Sequence, residues 1–156
     1  MTAGDRQSLL QATIAAVRDC ADKMEDRATS LLQSLPTVPM DEGLRATAIE
    51  LSAGLKDASG RVMFELALLQ TELGEAKADA ATALQSLSRM DATMMDALAA
   101  IADVADQLEN AAERDERNER AFVLVIEAAG VMLQSLEKAR AATQLLSAAG
   151  QTAVRT

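Results

Sequence analysis

"LLQTELGEAKADAATALQSL" (residues 68–87) decides how many helices this chain makes. On either side of it, apolar residues recur at alternating steps of four and three, the spacing that lines one face of a coiled-coil helix. Inside it, Gly74 is the only strong helix-disfavouring residue, and there is no proline. A helix running straight through would make the region 40–113 a rod of about 105 Å at about 1.5 Å per residue, far longer than most helices. If the chain instead folds back near Gly74, or within "SRMDAT" (residues 88–93), two helices of ordinary length result. The expected fold is therefore all-α, an elongated antiparallel helical bundle or coiled coil of four helices. The alternative is three helices with one very long central helix.

The stripe through this region runs Leu44, Ala48, Leu51, Leu55, Ala58, Val62, Leu66, Leu69 and Leu73. It continues through Ala76, Ala80, Ala83, Leu87, Met90, Met94, Ala97, Ile101, Val104, Leu108 and Ala111. Two steps of four follow each other at Ala58–Val62–Leu66, a stutter that locally unwinds a supercoil without ending the helix. Toward the N-terminus, Leu10, Ile14, Val17, Ala21, Met24, Ala28, Leu31 and Leu35 keep the same rhythm. That predicts a first helix over about 2–35. Pro36 and Pro39 in "LPTVP" stop it. Asp41 and Glu42 in "PMDEGL" suit the start of the next helix.

Toward the C-terminus, "ERDERNER" (residues 113–120) sets eight charged or amide residues directly before the apolar run that begins at Phe122. The seam would fall on Asp115 and Asn118 there, so the octet is expected to be a hairpin tip where the seam opens to water. The last helix, about 119–148, carries Phe122, Val125, Ala129, Met132, Leu136, Ala139, Thr143 and Leu146 on its seam. Beside them Val123, Ile126, Gly130 and Leu133 form a second apolar line. Either this end is wrapped at the bundle centre, or the second line, with Phe122, is a surface for self-association or a partner.

Composition supports one domain over 1–156, with a core of Leu, Ala, Met, Val and Ile, because only two of the 156 residues are aromatic. The Ala- and Arg-rich usage has a bacterial cast. Alanine seams bury little area, so a second copy is expected to stabilise the chain as a homo-oligomer. The net charge of −9 argues against nucleic acid and anionic membrane surfaces. No apolar run approaches the length of a transmembrane segment, and no signal-peptide pattern opens the chain. Lone Cys20 has no disulfide partner and reads as a buried small hydrophobe; the expected location is the cytoplasm.

The absence of histidine removes His-based acid–base chemistry, phosphotransfer through His, and the usual zinc and di-iron ligand sets. No phosphate loop or Ca²⁺ loop is present, so neither a metal nor a cofactor is expected. Asp91, Asp96, Asp103, Asp106, Glu109 and Glu113 form an acidic series with no basic residue among them. They are either a solvated face partly neutralised by Arg114, Arg117, Arg120, Lys138 and Arg140, or a dock for a basic or amphipathic partner helix. Asp103 and Gln107 stand four apart on one helical face, the carboxylate–amide spacing that could orient a water in a phosphotransfer regulator. The leading expectation is a non-enzymatic interaction protein: an adaptor, chaperone-like protein or scaffold component. Its partner surface would use Phe122, Val123, Ile126, Gly130 and Leu133 with Asp103, Asp106 and Glu109. A coat for a lipid or polymer granule and a small phosphotransfer regulator are the alternatives.

Overall fold

A computed structural model describes the backbone of residues 2–155 and the side chains of residues 2–150. The expected domain over 1–156 thus includes terminal residues outside this range. Four helices follow one another: α1 (Ala3–Ser34), α2 (Glu42–Gly74), α3 (Ala80–Arg114) and α4 (Glu119–Arg155). A single 3-10 turn, Glu116–Asn118, precedes α4. The described residues contain no strand, and the four-helix layout is the observed one.

The fold-back lies at Gly74, but glycine is not the residue that turns the chain. Ala76 adopts the left-handed conformation, with φ of 58°. The Lys77 N–H donates to Glu72 O at 2.8 Å and the Ala76 N–H to Leu73 O at 3.2 Å, the paired bonds of a Schellman cap. Alanine pays a steric penalty at this position that glycine would avoid. Ala76 and Ala80 are therefore exposed turn and helix-start residues, not seam positions as the periodicity suggested. Asp79 then starts α3 by accepting the Thr82 N–H at 2.8 Å. Thr2 and Asp5 start α1 with a reciprocal capping box, each bond 3.1 Å.

The helices form a square in which each is antiparallel to its neighbours. α1 packs on α2 and α4, and α3 packs on the same two; α1 and α3 also meet across the diagonal. Cross-helix bonds mark every side of the square. Arg18 bonds Gln70 between α1 and α2. Arg89 pairs with Glu65 at 3.2 Å between α3 and α2. Arg140 pairs with Asp91 at 2.9 Å between α4 and α3. Thr13 of α1, fully buried, sits 3.2 Å from Ala142 O of α4.

The seams supply the core. All eight seam residues of α1, Leu10 through Leu35, are buried. Met24, Leu55, Leu66, Met90, Met94, Ile101 and Met132 lose essentially all exposure. Each side chain of this size contributes about 1.5–3 kcal/mol on burial. At the stutter the sequence places small polar residues inside: Ser52 and Ser59 are buried, and their hydroxyls donate to Ala48 O and Lys56 O. The helix thus satisfies these groups within itself.

The end holding both the α1–α2 and α3–α4 loops is sealed. Val38 and Met40 are buried beneath the loop between the two prolines and α2. Arg45 Nη1 donates to Leu35 O at 2.6 Å and Val38 O at 3.0 Å, satisfying carbonyls at the end of α1. Asn118, expected to face water, has no exposure at all. Its side chain occupies the seam position and binds backbone instead of solvent. The charged octet is a bend with a buried polar pin, and only part of it is solvated.

Candidate functional site

The bidentate Arg140–Asp91 pair fixes which shoulder of α4 faces α3. Leu133 and Ile126 lie seven and fourteen residues before Arg140, so they share that shoulder. Phe122 falls on the same side, partly buried against the core. Val123 and Gly130 stand further out, on the surface. Of the two readings of the second apolar line, wrapping at the bundle centre does not occur: Val123, Ile126 and Leu133 remain 41%, 41% and 43% exposed. Their neighbours Val125, Ala129 and Met132 enter the core, which is why α4 is apolar around so much of its circumference.

On α3, Ala102 and Glu109 lie three and five helical turns beyond Asp91 and share its α4-facing edge. The antiparallel register set by Asp91–Arg140 brings Leu133 level with Leu98 and Ile126 level with Ala105. A shallow apolar strip results, with Ile126 and Leu133 on one bank and Ala102 on the other. Asp106 and Glu109 border its end near Phe122. Asp103 does not join them. Its turn of α3 points away from α4, and its carboxylate accepts from Gln107 Nε2 at 3.0 Å. Phe122, Ile126, Leu133, Asp106 and Glu109 thus gather on or beside one face, Val123 and Gly130 stand further round α4, and Asp103 turns away from α4.

Charge on this face is unbalanced. Of Arg114, Arg117, Arg120, Lys138 and Arg140, only Arg140 reaches an acid of the α3 series. Arg117 instead pairs with Asp41 and Asp115. Among the described residues, Asp103, Asp106 and Glu109 have no basic partner, and all three are exposed. The Arg140 guanidinium is held protonated still more firmly by its hydrogen bonds to Asp91. Elsewhere, burial pushes the Cys20 thiol up to about 11, with the charges of Asp19 and Asp91 adding to it. A neutral, inaccessible thiol is a packing group and a poor nucleophile.

A further apolar patch escaped the reading of the sequence. Phe64 and Leu68 of α2 are 74% and 50% exposed. They are four residues apart and off the stripe, a signal hidden by the stronger seam of Val62, Leu66 and Leu69. α2 and α4 are diagonal in the square, so this patch and the α3–α4 strip lie on different sides of the bundle. Among the described residues no three His, Cys, Asp or Glu side chains converge as a metal site would need. No described helix is long and apolar enough to cross a membrane. Compared with known proteins, the chain matches no family model, no curated protein and no solved structure.

Proposed function

We propose that this chain is a non-enzymatic helical interaction protein whose α3–α4 face receives a basic amphipathic helix of a partner protein. The observation that carries this reading is the adjacency of the exposed line Ile126–Leu133 to the unpaired carboxylates Asp106 and Glu109. An incoming helix would bury its apolar positions against Ile126, Leu133 and Ala102. Its Lys or Arg residues would meet Asp106 and Glu109, which speeds encounter and fixes orientation.

Phe64 and Leu68 on the far side support self-association as a separate contact, so an adaptor or scaffold role in a reducing compartment fits both surfaces. A granule coat is less well supported, because the exposed apolar residues are divided between α2 and α4, which are diagonal in the square. A phosphotransfer regulator is supported least, because Gln107 spends an amide proton on Asp103 at an exposed position.

Titration of a helical Leu/Lys peptide, followed by heteronuclear NMR, tests the reading. Shifts should cluster on α3 and α4 around Ala102, Glu109, Ile126 and Leu133, and fade as salt rises. Ile126→Asp with Leu133→Asp should abolish them without altering the helical circular dichroism. Shifts spread evenly over all four helices, or unchanged in the double variant, overturn the assignment.

A further inference from the structure

At the end opposite the buried Asn118, the first turns of α1 and α3, the end of α2 and residues 146–150 of α4 form an open-mouthed cavity of about 940 Å³. Leu10, Leu73, Leu84 and Leu146 line it together with several alanines, and among the described residues Arg6 is the only charged one on its wall. Ligand sites between helices of bundles have this character: about 300–1,000 Å³, mostly apolar, with few polar groups.

Arg6 decides the ligand class. The residue is part-buried, and its guanidinium has no acidic partner among the described residues. Two acids at this end are otherwise engaged: Asp5 accepts the Thr2 N–H, and Asp79 accepts the Thr82 N–H. Gln7 adds an amide to the same wall. An unpaired cation at an apolar cavity repels amines and gives neutral alcohols no charge-assisted bond. It favours an anionic head with a flexible apolar tail. We propose that this cavity binds a single-chain carboxylate of the fatty-acid class, its carboxylate on Arg6 and its chain among Leu10, Leu73, Leu84 and Leu146. This site is separate from the α3–α4 face and does not depend on the function proposed for it.

Calorimetric titration of the full chain with decanoate and with decanol tests the proposal. Decanoate should bind saturably at one per chain and raise the melting temperature, with decanol at least about tenfold weaker. Arg6→Gln should bring decanoate down to the level of decanol and leave decanol unchanged. Ala81→Trp, made at an exposed cavity-lining position, should block both while the unliganded melting temperature shows the fold intact. No saturable binding, equal affinity for the two ligands, or full binding in the Trp variant overturns it.

Discussion

The Oδ1 of Asn118 accepts the backbone N–H of Asp41 at 2.8 Å, joining the α3–α4 bend to the start of α2. The Asn118 amide Nδ2 reaches back toward Ala111 O and Asp115 O, at 3.5 and 3.4 Å. One fully buried side chain therefore serves backbone groups of two loops that are distant in sequence. Asn118→Ala strands the Asp41 N–H and should cost about 1–3 kcal/mol in urea denaturation. Arg117→Ala removes only the exposed pairs with Asp41 and Asp115 and should cost less than about 1 kcal/mol. Equal losses in the two variants would show that the buried bond carries no special weight.

Backbone conformation gives two substitutions of the same sign for opposite reasons. Ala76→Gly relieves a left-handed alanine and should stabilise the chain by about 1 kcal/mol. Gly130→Ala fills open space within a helix and should gain up to about 1 kcal/mol. Thermal denaturation reads both, and the gains should add because the sites lie in separate elements.

Cys20 should react with a disulfide reagent only as fast as the bundle opens, so urea should accelerate labelling far more than a rise in pH does. Its folded pKa, about 11, lies above the ordinary 9.0. The stabilisation from keeping the thiol neutral is complete below pH 9 and is lost as pH climbs toward 11. Cys20→Ala should flatten that alkaline decline, which stability measured from pH 8 to 11 would reveal.

Asp5 and Asp79 titrate below the ordinary 3.8, chiefly because each accepts backbone N–H groups in its cap. A depressed carboxylate stabilises the fold above its unfolded value and loses that contribution as pH falls through the folded one. Both caps belong to the cavity end. Acidification below pH 3.8 should therefore loosen the first turns of α1 and α3 before the Asn118 end, seen as early loss of the Asp5 and Thr82 amide signals. Asp79→Asn should retain the cap while removing its share of the pH dependence.

Helix identity and core positions were legible because a seven-residue rhythm of apolar side chains reports directly which face is buried. The fold-back was harder to place. Its left-handed residue is Ala76, while the nearest glycine, Gly74, is still helical. Asn118 misled for a related reason: polarity at a seam position signals water or a buried partner equally well, and the partner lies 77 residues away on the Asp41 backbone. Ile126 and Leu133 were visible as a second apolar line, but only the register set by Asp91 and Arg140 separates Asp106 and Glu109 from Asp103. The cavity lined by Leu10, Leu73, Leu84 and Leu146 had no signature, since its walls come from four segments that periodicity treats as ordinary seam.

The sealing contacts of Val38, Met40, Arg45 and Asn118 all belong to one end of the square, with no equivalent set at the other among the described residues. Thermal breathing consequently has a direction. The rod frays from the mouth inward, and amide exchange should slow progressively with distance from it. A guest lodged at the mouth would act as a clasp, tightening the half that lacks these sealing contacts.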